Sequence, residues 1–233
     1  MARALHTLEA AIAALKSRGT EENREAMARF GITTVRAFGV SMPDIRACAA
    51  CITKDHALAQ ALWQSGFHEA RIMAGLIDQP QWVTPAQTDE WTGDFDSWDL
   101  CDQICGSLWD RTAFAHEKIP EWSSDPREFV KRAAFATIAW RAVHDKAAAD
   151  AVFLEYLPLI RREAVDSRNF VCKAVNWALR QTGKRSAALN LPCLELAREL
   201  AASPHKAARW NGIDASRELS SEKLQRKLGL ASP

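Results

Sequence analysis

Apolar residues recur at helical spacing along most of the chain, in segments of roughly 10 to 18 residues. Short polar breaks at 17–20, 41–44 and 123–126 separate these segments. Ser41 or Asp44 is expected to cap the segment that runs toward Cys51, and Thr84 with Pro85 to open a later one. The pattern predicts an all-α chain in which helix follows helix.

An internal repeat supports a more specific architecture. The segment that begins Phe129-Val-Lys aligns with the segment that begins Phe170-Val-Cys, 41 residues later, a period typical of HEAT-type helical pairs. We therefore predict one HEAT-like repeat domain over 1–233, with the last helices in 186–228. Such helical pairs stack into an α-α superhelix, a solenoid with a concave face.

Composition narrows the protein class. With 48% hydrophobic residues among 233, the chain has enough apolar side chains for a core, and few Gly, Pro or Tyr residues oppose helix. No apolar run approaches the ~20 residues of a membrane span, and the first residues lack a signal-peptide core. A cytoplasmic protein with reduced thiols is expected, in a bacterial-type cytosol or nucleoid, because six cysteines are few for this length.

The net charge of +1 conceals a division within the chain. Residues 78–128 contain twelve acidic and three basic residues, whereas 131–185 contain eleven basic and five acidic ones. A partly basic concave face is therefore expected from the second half of the chain, with Arg132 and Lys173 in line. Arg71 belongs to the same row if it faces outward, and caps a neighbouring turn if it does not.

Trp98 and Asp102 are four residues apart, so on a helix they share one face and reach one ligand. Core packing alone would explain Trp98. It explains Asp102 on the same helix face less well, because burying an unpaired carboxylate costs free energy. Trp177 and the cations Lys131 and Arg180 follow later in the chain. Indole faces and a carboxylate stabilise positive charge while Arg and Lys bind phosphate, which suits a cationic nucleotide in an anionic backbone.

In order and spacing, the segments that carry these residues resemble those of AlkD-like DNA glycosylases, HEAT-like repeat proteins of DNA alkylation repair. The similarity runs from about residue 20 to about residue 190. The matching segments are Met27–Phe30, Phe38–Pro43, Trp63 with Glu69 and Arg71, Trp98 with Asp102, 131–134 and 176–180.

The resemblance implies an enzyme that hydrolyses the N-glycosidic bond of N3- or N7-alkylated purines in duplex DNA and leaves an abasic site. It implies that Asp102 is the catalytic carboxylate and that Trp98 and Trp177 contact the deoxyribose of the lesion. Arg132 would bind the nearby backbone, and Lys131, Lys173, Arg180 and Arg71 are further DNA-binding candidates. Neither a cofactor nor a metal is expected, the partner is double-stranded DNA with alkylated bases, and a monomer is the default.

Two substitutions depart from the family pattern. Ser97 precedes Trp98 where relatives have a second Trp, and Phe30 replaces a Tyr. The alternative is a HEAT-repeat scaffold that binds damaged or structured DNA, or a protein, without catalysis. Four tryptophans are expected in the core and three are left unassigned: respectively Trp63, Trp109, Trp122 and Trp140, and Trp82, Trp91 and Trp210.

Overall fold

The protein is helical throughout the part that its computed structural model describes, residues 6–230. Within this range the chain forms α-helices and two short 3-10 helices, and no β-strand. The prediction of an all-α chain is confirmed. None of the helices in 6–230 has the length and apolar character that crossing a membrane requires.

Most helices are between seven and seventeen residues long. The first are α1 Leu8–Lys16, α2 Glu21–Arg29, α3 Met42–Ala50, α4 His56–Gln64, α5 His68–Ile77, α6 Pro85–Gly93 and α7 Trp98–Ser107, with 3-10 turns at Pro80–Trp82 and Trp109–Arg111. They are followed by α8 Ala115–Ser123, α9 Glu128–His144, α10 Asp150–Leu154, α11 Leu157–Glu163, α12 Asn169–Arg185, α13 Ala187–Ala201, α14 Lys206–Leu219 and α15 Glu222–Lys227.

The helix starts follow the local signals in the sequence. The Ser41 hydroxyl accepts the backbone N–H of Asp44 at 3.3 Å and caps α3, which ends before Cys51. Thr84 caps α6 in the same way through the N–H of Gln87, at 3.1 Å, with Pro85 in the first turn. Both predicted caps are confirmed, because a hydroxyl satisfies N–H groups that the first turn leaves without a carbonyl partner.

The chain divides into two compact units, Met1–Ala113 and Phe114–Pro233. In a repeat array each helical pair contacts mainly its neighbours, so a single array also separates into such units. The expectation of one domain over 1–233 therefore stays a prediction.

Three tryptophans form the core of the first unit. The rings of Trp63 and Trp91 stack at 4.1 Å with an interplanar angle of 2°, and Trp109 lies 5.7 Å from Trp91. All three are fully buried. Trp122 is also buried, as expected, whereas Trp140 is half-buried, so the core assignment of Trp140 is wrong.

A buried carboxylate fixes the loop that leads into α3. Glu69 of α5 is fully buried and accepts the backbone N–H groups of Phe38, Gly39 and Val40 at 2.7–3.1 Å. A carboxylate with several N–H donors replaces the hydration that it loses on burial. Glu69 therefore joins the 38–40 loop to α5.

A second charged pair joins α5 to α7. The His68 ring donates from Nε2 to Asp99 Oδ2 at 2.9 Å, and the imidazole is almost fully buried. Burial opposes the charge of His68 most strongly, but the hydrogen bond and the charge of Asp99 outweigh it and raise the pKa of His68. Burial likewise opposes the ionised form of Asp99, yet the bond to His68 lowers the pKa of this carboxyl.

The two long helices α9 and α12 form the centre of the second unit, and they begin 41 residues apart. Their equivalent residues Phe129 and Phe170 have ring centroids 5.6 Å apart. The repeat read from the sequence is thus a packed pair of equivalent helices. Around this pair, α8 packs on α9, α13 on α12, and α14 on both α12 and α13.

Gly212 allows α14 to cross α13 at close range. A Cβ atom at Gly212 would lie 2.1 Å from the backbone nitrogen of Ala201 and 2.4 Å from the carbonyl oxygen of Ala197. Both distances are far below van der Waals contact, and backbone atoms have little freedom to move. The position of α14 on α13 therefore depends on the missing side chain.

Glu69→Gln should lower the free energy of unfolding by about 3 kcal/mol, because an amide places a donor against three backbone N–H groups. Urea denaturation measures this change. Glu195→Gln is the matched control, since Glu195 is exposed on α13, and its effect should stay within about 0.5 kcal/mol. Equal effects of the two substitutions would contradict the anchoring role of Glu69.

The His68–Asp99 pair should make stability depend on pH. The raised pKa of His68 adds stability that is complete below its unfolded value and is lost as the pH rises through the folded value; the lowered pKa of Asp99 adds stability that is lost in acid. The stability advantage of the wild type over His68→Gln should therefore be largest near pH 5 and shrink toward pH 9. Denaturation curves at several pH values test this, and parallel pH profiles would contradict it.

Candidate functional site

Trp98 opens helix α7 and is held in place by the end of α2. Its indole Nε1–H donates to the carbonyl oxygen of Phe30 at 3.0 Å, and Phe30 is the residue that ends α2. The indole remains half-exposed. A ring that is hydrogen-bonded at its edge and open on its surface is oriented before any ligand arrives.

Asp102 lies one turn after Trp98 on α7 and is half-buried. The opposite side of α7 carries Leu100, Cys101, Ile104 and Cys105, all fully buried. Because these apolar residues fix the rotation of the helix, Trp98 and Asp102 both keep access to solvent. The helix thus presents an indole and a carboxylate together.

A cavity of about 410 Å³ opens beside Trp98 within the first unit. Its walls are mainly apolar side chains of α2, α3 and the segments that flank them, such as Met27, Phe30 and Ile45. On the α5 and α7 side it is closed by Trp98 and by the His68–Asp99 pair. The cavity beside α7, the helix that carries Asp102, is thus lined mainly by aromatic and apolar side chains, with the polar His68–Asp99 pair on one side.

The sequence patterns did not reveal the His68–Asp99 pair. No motif in the sequence assigns a function to His68, and its position at a helix start is compatible with an exposed side chain. The structure buries it instead, 5% exposed, against a carboxylate of the same Trp98–Asp102 segment. The one available signal was that His68 and Asp99 each stand at the start of a helix, 31 residues apart.

Arg132 lies on α9 but does not project from it as an exposed cation. Its side chain is only 6% exposed and donates from Nη1 to the carbonyl oxygen of Phe170 at 2.5 Å. This bond joins α9 to the start of α12. The expectation of an open basic row along 131–185 therefore needs correction at Arg132.

Lys131 and Arg180 are engaged by acidic side chains of the same unit. Lys131, 12% exposed, forms ion pairs with Glu163 and Asp166. Arg180 donates to Glu218 at 2.6 Å and lies 3.6 Å from Asp214. Their charges are balanced internally, so the basic excess in the sequence overstates the charge that they offer to a partner.

Arg71 is likewise tied into the first unit. Its guanidinium lies 3.0 Å from Asp94 and 5.1 Å from the centroid of the buried Trp63 ring. Of the two interpretations left open for Arg71, these contacts favour the structural one.

Lys173 differs from these four cations. It is exposed on α12 and forms no ion pair with a side chain in the range 6–230. Its ammonium group is therefore available to an anionic partner.

Trp177 lies one turn after Lys173, half-buried, and packs edge to face with Trp140 at 5.4 Å. Trp140 in turn stacks on His144 at 4.9 Å. Sequence reasoning missed this aromatic pair because Trp140 was placed in the core. Helical spacing alone does not distinguish a buried indole from one at the edge of a unit.

The candidate residues divide between the two units. Trp98, Asp102 and Arg71 belong to the first, and the cations of α9 and α12 belong to the second together with Trp177. Trp98 and Asp102 share helix α7, and Lys173, Trp177 and Arg180 share helix α12. The meeting of Asp102 with Trp177 on one ligand stays a prediction.

Cysteine and metal chemistry add little to this site. The six cysteines, all within 6–230, form no disulfide bond. Among residues 6–230, no group of three His, Cys, Asp or Glu side chains is arranged to hold a metal ion.

Comparison with known proteins identifies the family to which the chain belongs. The family described as "DNA alkylation repair enzyme" matches residues 11–219, while no curated protein sequence matches the chain. A solved structure described as "a new family of proteins related to the HEAT-like repeat DNA glycosylases with affinity for branched DNA structures" is 18% identical, with a TM-score of 0.80 over 96% of each chain. This similarity confirms the HEAT-like repeat fold, and the match over most of the sequence means that the chain belongs to the DNA alkylation repair enzyme family.

Proposed function

We propose that this protein is a DNA glycosylase that hydrolyses the N-glycosidic bond of N3- or N7-alkylated purines in duplex DNA. The observation that carries the proposal is the α7 arrangement, in which half-exposed Asp102 lies one turn from an indole anchored to the Phe30 carbonyl. Membership of the DNA alkylation repair enzyme family supports it.

The chemistry of the substrate explains why so few groups are required. An N3- or N7-alkylpurine already carries positive charge, so its departure needs no strong general acid, unlike the two-carboxylate hydrolysis of ordinary glycosides. Asp102 would stabilise the positive charge that develops on the deoxyribose and orient the attacking water. The faces of Trp98 and Trp177 would favour the same cation.

DNA binding in this proposal relies less on surface arginines than the sequence indicated. Lys173 is the candidate whose charge is not balanced by an acidic side chain within 6–230. Arg132 is buried, so it would contact the DNA backbone only through guanidinium N–H groups that remain accessible. Such a protein would act on DNA in the cytosol, at the nucleoid, as a monomer and without a metal.

A non-catalytic DNA binder is the second candidate. One observation favours it: the structurally similar protein is described as having affinity for branched DNA. Such a protein would share the fold and the DNA contacts but release no base.

Asp102→Asn separates the two candidates. In a glycosylase the substitution removes the charge that stabilises the transition state, and release of 7-methylguanine from a duplex should fall at least ~100-fold. The dissociation constant for the same duplex should stay within about twofold. Base release under single-turnover conditions and fluorescence anisotropy measure the two quantities.

The matched control for this experiment is Asp89→Asn, an exposed carboxylate of α6 in the same acidic stretch. It should leave base release unchanged. If the wild type in excess over DNA releases no base above the spontaneous rate, the glycosylase proposal fails and the binding candidate remains.

Lys173→Ala should weaken duplex binding and lower the dependence of log Kd on log salt concentration by about 0.9, the value for one lost phosphate contact. Lys223→Ala is the control, because Lys223 is exposed on α15 near the end of the chain. Anisotropy titrations at several salt concentrations provide the slopes. An unchanged slope for Lys173→Ala would mean that this lysine does not contact DNA.

A further inference from the structure

A cleft of about 540 Å³ lies in the second unit, beside the starts of α12 and α14. Ser167, Asn169 and Lys173 line it on the α12 side, and Lys206 and Trp210 line it on the α14 side. No acidic side chain is among its lining residues within 6–230. Of these residues, the glycosylase proposal uses Lys173 alone.

Trp210 is unusually exposed for a tryptophan, with 45% of its surface accessible. Helix α14 packs through its other side, where Ala208, Ala215 and Leu219 are buried. The indole is therefore only partly covered by the rest of the unit. Its face is available for stacking on a flat ring that enters the cleft.

The two lysines give the cleft a net positive charge. Lys173 and Lys206 are both exposed, and neither forms an ion pair with a side chain in the described part of the chain. This contrasts with Lys184 on the same helix, which binds Glu218 at 2.7 Å. Uncompensated ammonium groups at the edge of a cleft attract phosphate.

We propose that this cleft binds an unpaired nucleotide of a DNA strand. The base stacks on Trp210, Lys173 and Lys206 bind the flanking phosphates, and Ser167 and Asn169 offer hydrogen bonds to the sugar or the base edge. A base within a duplex has both faces covered by its neighbours, so stacking on the indole requires a base outside the pair. The inference rests on DNA as the partner, as proposed above, but not on catalysis.

The charge of the cleft favours a nucleotide over a protein segment. A protein partner would use Trp210 as an apolar anchor and would not require two adjacent cations. Stacking and phosphate binding together are the combination that single-strand binding proteins use.

The test compares binding of a blunt duplex with binding of the same duplex carrying a six-nucleotide single-stranded tail. For the wild type, the tail should tighten binding about tenfold, a modest gain for one stacked base and its phosphates. A tail of abasic nucleotides should give only part of this gain, because it keeps the phosphates and lacks the bases. Trp210→Ala should abolish the difference between the normal and the abasic tail, and Lys206→Ala should reduce the gain from both tails.

Trp82→Ala is the matched control, since Trp82 is 61% exposed and lies in the first unit. It should keep the full gain from the tail. A wild type that binds blunt and tailed duplexes equally, or a Trp210→Ala variant that keeps the whole gain, would overturn the assignment of the cleft. Failure to bind either duplex would instead contradict DNA as the partner, whereas equal binding of both contradicts only the assignment of the cleft, so the two proposals fail separately.

Discussion

The burial of Glu69 under the 38–40 loop is the interaction on which the candidate site depends. Its carboxylate holds three consecutive backbone N–H groups, and the loop that it fixes leads from the end of α2 into α3. Phe30, at that end of α2, accepts the indole N–H of Trp98. The Gly39 carbonyl also accepts the backbone N–H of Thr20, the residue that caps the start of α2. A buried charge on α5 thus helps to position the helix whose end orients the Trp98 ring.

Many basic side chains of this protein are paired with acidic side chains of the same unit, unlike those of a protein that binds nucleic acid through an open basic surface. The excess of basic residues in 131–185 is largely compensated by acidic residues from neighbouring helices, as in the pairs of Lys131 with Glu163 and of Arg180 with Glu218. The remaining uncompensated cations then matter more than the total. For this reason Lys173 and Lys206, beside the exposed indole of Trp210, indicate better than the net charge does where DNA would bind.

Local features of the structure could be read from the sequence, and long-range pairings could not. The caps Ser41 and Thr84, the breaks near 17–20 and 123–126 and the 41-residue repeat depend on neighbouring residues or on periodicity, and these were predicted correctly. The break at 41–44 was wrong, because α3 already begins at Met42. The partners of Lys131 and Arg180 lie 32 and 38 residues away, so their burial depends on how successive helices pack. The resemblance assigned roles to Trp98, Asp102 and Trp177, but it did not indicate that His68 would close the cavity beside Trp98 or that Trp140 would pack on Trp177.

The close crossing of α14 over α13 constrains how position 212 can evolve. Every other amino acid would push α14 away from Ala197 and Ala201, and with it Lys206 and Trp210, which the same helix carries. Missense changes at this codon would therefore be purged by selection even though the residue touches no ligand. Descendants of this protein would be able to vary the exposed positions of α14 outside the cleft while inheriting the glycine beneath them.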